Sequence, residues 1–197
     1  MKRFWLLACF MALPTALCAE PPAPPVGKAS PVASKSVIDR GKYLVAIMGC
    51  NDCHTPKKMG AHGPELDLSR LLSGLPEDAK FPPPPTLPPG PWMAVGTWDM
   101  TAWSGPWGIS YAINLTPDEN TGIGIWTEEM FMKTLRTGRH MGTSRPILPP
   151  MPWEFYANTT DADIKAIFAY LKSIPAIKNR VPDPVIAEPP ATPPSKP

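Results

Sequence analysis

The chain has 197 residues, of which 30 are proline, and its formal net charge is only +2. Globular proteins usually contain ~5% proline, so this content excludes a regular helix-and-sheet domain along the whole length. Part of the chain must be linker or irregular loop. The small net charge also lacks the basic footprint of a nucleic-acid-binding protein, and we exclude nucleic acid as a partner.

The first 19 residues have the layout of a secretory signal peptide. Lys2 and Arg3 precede an apolar run over residues 4–13, and a small-residue stretch ends at Ala19. A bilayer-spanning helix needs roughly 20 apolar residues, and this run is about half that length. We therefore expect cleavage after Ala19, no transmembrane segment in the mature protein, and a periplasmic or otherwise exported location.

Composition divides the remaining chain into three parts. Residues 20–35 are rich in proline and alanine and are expected to form a linker, and residues 181–197 are expected to form a proline-rich tail. Residues 36–180 form the domain, with residues 57–110 as a long loop inserted in it. Both terminal extensions are expected to be disordered.

Three helices are predicted from capping signals. Ser36 begins a helix that ends at the cysteine motif, and Thr127 begins one that Gly138 stops. Thr160 begins the last helix, which ends before Pro175. No run alternates well enough to predict a strand. The expected fold is therefore all-α, with long loops.

The clearest functional motif of the sequence is the pentapeptide Cys50-Asn51-Asp52-Cys53-His54. Removal of the signal peptide would leave its two thiols as the only cysteines of the chain. C-x-x-C-H is the attachment signature of c-type haem. Two thiols three residues apart on a helical turn can bond both vinyl groups of one porphyrin, and the adjacent imidazole of His54 can then bind the iron.

Other chemistries of this motif are a disulfide, a dithiol redox pair and a zinc site. Thioredoxin-like C-x-x-C motifs occur in a βαβ setting, and no strand pattern surrounds Cys50. Zinc would need further ligands, and the remaining histidines, His62 and His140, do not complete a recognised set.

A haem of this kind needs a second axial ligand, usually Met or His. Met151 is favoured because it lies in an apolar loop stiffened by three prolines, which limits the ordering cost of holding a weak thioether donor. His140 and Met141 are the next candidates. Met130 and Met132 are expected in the core, His62 is expected to be solvated, and the other downstream methionines are Met59, Met93 and Met100.

These segments together resemble class I cytochromes c, and most of all the cytochrome c domain of the electron-accepting subunits of bacterial dehydrogenases. The resemblance covers residues 36–178 and rests on the first helix with its C-x-x-C-H motif, Asn114–Asp118, Gly122–Thr127, Pro150–Pro152 and Asp161–Leu171.

The resemblance implies a cytochrome c fold in which the first and last helices cross, with Gly41 against Phe168 or Tyr170. It implies thioether links at Cys50 and Cys53, proximal ligation by His54 and distal ligation by Met151. Relatives are often described as dihaem proteins, but one C-x-x-C-H motif predicts a single covalently attached haem c.

The expected function is one-electron transfer without enzymatic activity. Iron with both axial positions filled exchanges electrons but does not readily bind a substrate. The expected partners are redox proteins, namely an exported dehydrogenase and a downstream electron acceptor. The alternatives are a peroxidase-like haem enzyme with an open distal site and a haem-free C-x-x-C thiol oxidoreductase.

The 57–110 insertion contains Trp92, Trp98, Trp103 and Trp107. One hypothesis is an ordered loop that wraps the haem edge and buries these rings. The other is a docking surface for a redox partner, since aromatic residues are enriched at interfaces.

Overall fold

The computed structural model describes residues 33–88 and 90–187. The predicted signal peptide, most of the predicted linker and residues 188–197 lie outside the described residues. The helices are α1 (Lys35–Ile47), α2 (Cys50–His54), α3 (Glu128–Thr137), α4 (Trp153–Tyr156) and α5 (Asp161–Ser173). The strands are β1 (Lys57–Gly60), β2 (Gly63–Leu66), β3 (Val95–Gly96), β4 (Ala102–Gly105), β5 (Gly108–Tyr111) and β6 (Val185–Ile186).

Helices α1 and α5 cross at Gly41. A Cβ at this position would overlap the carbonyl oxygen of Ala166 and would lie 2.8 Å from the Cβ of Tyr170. The predicted contact between Gly41 and Tyr170 is confirmed, whereas Phe168 packs against Phe131 of α3 with ring centroids 5.2 Å apart. The core around this crossing is formed by apolar side chains of the three longer helices, including Leu44, Val45, Leu135, Ile164, Ile167 and Leu171.

Two of the predicted helix starts are confirmed by their caps. The Thr127 hydroxyl accepts a hydrogen bond from the Met130 N–H, and the Thr160 hydroxyl accepts one from the Asp163 N–H. Gly138 ends α3 with a φ of 62°. The start at Ser36 is wrong, because α1 already begins at Lys35 and its N-cap residue makes no side-chain cap. None of the described helices is both long enough and apolar enough to cross a bilayer.

The all-α prediction is wrong. Residues 57–110, expected as a loop, contain the antiparallel pair β1–β2. They also contain β3, β4 and most of β5 of a second antiparallel sheet with the order β3-β4-β5-β6. These strands are two to four residues long, too short to give an alternating pattern. Several contain or adjoin glycine, such as Gly96, Gly105 and Gly108. Backbone pairing, rather than apolar alternation, defines them.

The C-terminal segment completes the second sheet. Val185 pairs with Ile109, and the Ala187 N–H donates to the Trp107 carbonyl oxygen at 3.0 Å. Gly108 has a φ of 103°, and a Cβ there would overlap the Val185 carbonyl oxygen, so glycine allows this close approach. The expectation of a disordered extension is therefore wrong for residues 181–187.

Replacing Gly41 by Ala should separate α1 from α5, because the added methyl meets backbone rather than a movable side chain. Overpacking of this kind lowers the free energy of unfolding by about 3 kcal/mol. Denaturant unfolding would measure this loss.

Gly90→Ala is the matched control, because a Cβ there finds its nearest neighbour 3.9 Å away. The control should change the free energy of unfolding by less than about 0.5 kcal/mol. Equal stabilities of the two variants would contradict the tight helix crossing.

Candidate haem-binding site

The C-x-x-C-H motif forms α2, which begins directly after α1. Gly49 joins the two helices with a φ of 71°, a left-handed conformation that glycine adopts readily. The Tyr156 hydroxyl of α4 donates a 2.7 Å hydrogen bond to the last carbonyl before this turn, that of Met48. Cys50, Cys53 and His54 all line a single cleft.

The walls of this cleft are mainly apolar and come from both the helical and the sheet parts of the molecule. Strands β4 and β5 contribute Trp103 and Ser110. The helical walls include Val45, Phe131, Leu135, Ile167 and Leu171. Such a cleft suits a large apolar cofactor that is held by a few polar groups.

His54 is buried, with 8% of its surface exposed, and its orientation is fixed. Its Nδ1 lies 2.8 Å from the carbonyl oxygen of Ile113. Because a carbonyl oxygen only accepts, Nδ1 carries the proton and donates it, which leaves a lone pair on Nε2. Burial lowers the pKa of His54, and the hydrogen bond to Ile113 opposes this in part. The neutral imidazole is the form that binds a metal.

A neighbouring loop holds the backbone on both sides of the hydrogen bond between His54 and Ile113. The Leu75 N–H donates to the Ala112 oxygen at 2.9 Å, and the Gly74 N–H donates to the His54 oxygen at 2.8 Å. Gly74 has a φ of 78°, and a Cβ there would lie 2.6 Å from the Ile113 carbonyl carbon. The absence of a side chain at Gly74 therefore allows the loop to lie against the backbone of both His54 and Ile113.

Two buried asparagines tie these loops to the segment that follows α5. Asn179 is 4% exposed, and its Nδ2 donates to the carbonyl oxygens of Ser73 and Leu75 at 2.7 and 2.8 Å. Asn114 is 2% exposed and donates to the Ile177 oxygen at 2.8 Å. Because Asn114 directly follows Ile113, this network fixes the backbone that orients His54.

The two thiols are half-buried and are not joined in a disulfide. Burial raises the pKa of Cys50 to about 11 and also raises that of Cys53. Reactive thiols of redox C-x-x-C motifs have a lowered pKa instead. Among residues 33–88 and 90–187, no three His, Cys, Asp or Glu side chains form a possible metal-binding group.

Met151 lines the same cleft as His54. Its loop is anchored on one side by the Ser110 hydroxyl, which donates to the Pro149 carbonyl oxygen at 2.5 Å. On the other side the Trp153 N–H donates to the Met151 oxygen at 2.9 Å. The loop is therefore fixed just before and at the methionine.

Only one of the other downstream candidates for the second ligand, His140, also lines the cleft. Its ring packs edge-on against Trp126, with centroids 5.2 Å apart. Burial lowers the pKa of His140, and the charge of Arg145 lowers it further. The candidates that do not line the cleft are His62, which is exposed as predicted, and Met59, Met93, Met100, Met130, Met132 and Met141.

Sequence reasoning missed the polar end of the cleft. Arg145 and His140 line both the apolar cleft and an adjoining polar recess, where Asn114, Thr121 and Asp183 also lie. Asn114 and His140 were noted separately in the sequence, but no short motif connects them with Arg145, Thr121 and Asp183. Only their contact in three dimensions identifies them.

The insertion's tryptophans divide between cleft and surface. Trp103 is partly buried and lines the cleft beside Cys53, whereas Trp92 and Trp98 are 77% and 53% exposed.

Haem c fits the donor set of this cleft. The cleft offers two thiols, a neutral imidazole with its lone pair free of hydrogen bonds among the described residues, and a thioether. A basic and polar end, with Arg145, matches the two carboxylates of a haem, and apolar walls match its ring.

Comparison with curated proteins gives three informative relatives. The chain is 30% identical over 71% of its length to the fructose dehydrogenase cytochrome subunit of Gluconobacter japonicus. It is 28% identical over 77% of its length to the cytochrome c subunit of the quinone alcohol dehydrogenase of Gluconobacter oxydans. The chain resembles the cytochrome c subunits of bacterial dehydrogenases. This confirms the resemblance predicted from the sequence motifs.

The third relative is one of the subunits of the nicotinate dehydrogenase of Pseudomonas putida, 28% identical over 76% of the chain. The chain covers only 21% and 25% of the two cytochrome subunits and 10% of the nicotinate dehydrogenase polypeptide. It thus spans a quarter or less of the relatives it matches. No protein-family model matches the chain.

Replacing Asn179 by Ala should destabilise the backbone around His54. The change leaves the Ser73 and Leu75 carbonyls and the Glu77 N–H, which donates to Asn179 Oδ1, without their partner. Each buried polar group left unpaired costs about 1–3 kcal/mol, so a loss of about 3 kcal/mol is expected in denaturant unfolding.

Asn120→Ala serves as the control, because Asn120 is exposed and its side chain makes no hydrogen bond in the described part of the chain. If Asn179→Ala changes the free energy of unfolding as little as Asn120→Ala does, the network does not stabilise the backbone around His54.

Proposed function

We propose that the chain is a one-electron carrier with a single covalently attached haem c. Cys50 and Cys53 would form the thioether links, His54 would be the proximal ligand and Met151 the distal ligand. The observation that carries the proposal is that these four side chains line one apolar cleft, in which the hydrogen bond to Ile113 leaves Nε2 of His54 with a lone pair.

When bound, the haem supplies an iron centre that gains or loses one electron. The attachment itself needs no oxidant. In each link the sulfur bonds to one vinyl carbon, and the thiol hydrogen ends on the other carbon. The chain's own residues would hold the group: the apolar walls would exclude water, and His54 and Met151 would bind the iron, which would leave no open position for a substrate. Arg145 and His140 would bind the carboxylate end of the cofactor.

We further propose that the chain accepts electrons from an exported dehydrogenase and passes them to a downstream acceptor. Similarity to the cytochrome subunits of two dehydrogenases supports a partner of this class. A periplasmic location would follow from the predicted signal peptide, and haem attachment is consistent with export. With 17 residues of each charge after cleavage, long-range electrostatic steering by the polypeptide would be weak.

The thiol oxidoreductase hypothesis is the less favoured one. Both motif thiols have a raised pKa, which reduces the thiolate fraction that attacks disulfides. The motif helix follows α1 through the two-residue turn Met48-Gly49, and no strand precedes it among the described residues. No specific feature of the site favours this chemistry.

Protein produced with a haem-maturation system should keep its pigment after complete denaturation, and its mass should exceed that of the polypeptide by one haem. Replacing Cys50 and Cys53 together by Ser should abolish both signals, because no other thiol would remain in the mature chain. Mass spectrometry and in-gel haem staining give the readout. A colourless wild-type protein with two titratable thiols would overturn the proposal.

Replacing Met151 by Ala should lower the reduction potential, because a Met ligand raises it. It should also open the distal position, so that cyanide binds the ferric protein at least about tenfold faster, the factor that corresponds to 1.4 kcal/mol. Spectroelectrochemistry and stopped-flow absorption measure the two effects.

Met59→Ala is the control, since Met59 is 71% exposed and lies outside the cleft. His140→Ala tests the remaining candidate ligand. If only His140→Ala changes the potential, the distal ligand is His140. Fast, tight cyanide binding by the wild type would instead indicate the peroxidase-like alternative with an open site.

A further inference from the structure

The loop that contains Met151 has few means of fixing its own backbone. Pro149, Pro150 and Pro152 flank Met151 and have no N–H group. Three of the four residues from 149 to 152 therefore cannot donate a backbone hydrogen bond. The loop must be held through its carbonyl oxygens. The adjacent helix α4 supplies donors to the Met151 and Pro152 oxygens, whereas the Pro149 oxygen needs a donor from elsewhere in the chain.

Ser110 supplies such a donor from outside the loop. Its hydroxyl donates to the Pro149 carbonyl oxygen at 2.5 Å, across 39 positions of sequence. Ser110 is 8% exposed and lines the cleft, so water does not readily replace this contact. The hydrogen bond acts two residues before the thioether side chain.

The strand that carries Ser110 is fixed on both sides. In β5, Ser110 pairs with Trp103 of β4, and the preceding residue Ile109 pairs with Val185 of β6. The 57–110 insertion and the C-terminal segment thus support the same strand. The Ser110 hydroxyl is presented from an ordered sheet rather than from a mobile loop.

The same segment also meets the other proposed ligand. Three residues after Ser110, the Ile113 carbonyl accepts the hydrogen bond from His54 Nδ1 at 2.8 Å. Between them, the Ala112 N–H donates to the Thr101 carbonyl oxygen at 2.8 Å. One short stretch, residues 110–113, therefore contacts the backbone before Met151 at one end and the imidazole at the other.

We propose that Ser110 is a positioning residue for Met151, and that the stretch 110–113, which begins in β5 and continues past its end, sets the positions of both proposed ligands relative to each other. This inference rests on the proposed function, in which Met151 binds the iron. A thioether is a weak ligand, so its bond persists only if the loop is held close to the metal. The Ser110 hydroxyl provides part of that hold, and the insertion and the C-terminal strand keep Ser110 in place.

The test is Ser110→Ala in the haem-loaded protein. Cyanide should bind the ferric form about tenfold faster than in the wild type, because the Met151 loop opens more often. The charge-transfer absorption of methionine-ligated ferric haem should weaken, and the reduction potential should fall toward that of Met151→Ala.

Ser104→Ala is the matched control. Ser104 lies on the neighbouring strand opposite Ile109, and its side chain makes no hydrogen bond among the described residues. The control should leave the cyanide rate, the absorption band and the potential at wild-type values. Denaturant unfolding of both variants shows whether any difference comes from a general loss of stability.

The variants separate the positioning role of Ser110 from the assignment of Met151 as a ligand. If Met151→Ala accelerates cyanide binding and Ser110→Ala behaves like Ser104→Ala, the positioning role of Ser110 is wrong and the proposed function stands. If Met151→Ala leaves the cyanide rate and the potential unchanged, the ligand assignment itself is wrong. A lower stability of Ser110→Ala with wild-type spectrum, rate and potential would also overturn the positioning role.

Discussion

The site depends on the hydrogen bond from His54 Nδ1 to the carbonyl oxygen of Ile113. This contact determines which ring nitrogen carries the proton, and so which nitrogen can bind a metal. The carbonyl is useful only if its backbone is immobile. Much of the surrounding polar structure serves that end: Gly74 permits close packing, and Asn114 and Asn179 join the loops through buried amide hydrogen bonds. A buried polar network of this kind rigidifies the region that surrounds it.

The sequence predicted those parts of the fold that local chemistry determines. Thr127 and Thr160 cap their helices with their own hydroxyls, and Gly138 ends a helix because it can adopt a positive φ. The strands could not be predicted in the same way. The pairing of Ile109 with Val185 joins residues far apart in sequence, and the strands are too short for a periodic signal. Such strands form because a partner backbone is available, which is a property of the folded chain.

The same distinction applies to the candidate site: local motifs predicted some of its residues, and long-range contacts define the others. The C-x-x-C-H motif brings the two proposed attachment thiols and one proposed ligand together within five residues, and the prolines around Met151 indicate a stiff loop. Ser110, Arg145 and Asn179 escaped notice because serine, arginine and asparagine are common surface residues. Their roles come from contacts across long sequence separations, such as 39 positions for Ser110 with Pro149 and 106 for Asn179 with Ser73. No local sequence pattern indicates that these residues are in contact.

The two structural parts of the molecule contribute different properties to the cleft. The crossing of α1 and α5 at Gly41, with α3 packed beside it, forms the apolar core and one wall of the cleft. This packing is non-directional and leaves loops free to shift. The sheet and the residues that follow β5 add directional hydrogen bonds at the two proposed ligands, through the Ser110 hydroxyl and the Ile113 carbonyl. A helical core alone would enclose a cofactor, whereas holding a weak thioether at a fixed place also requires a scaffold that constrains the loop backbone. The insertion and the C-terminal strand meet this second requirement.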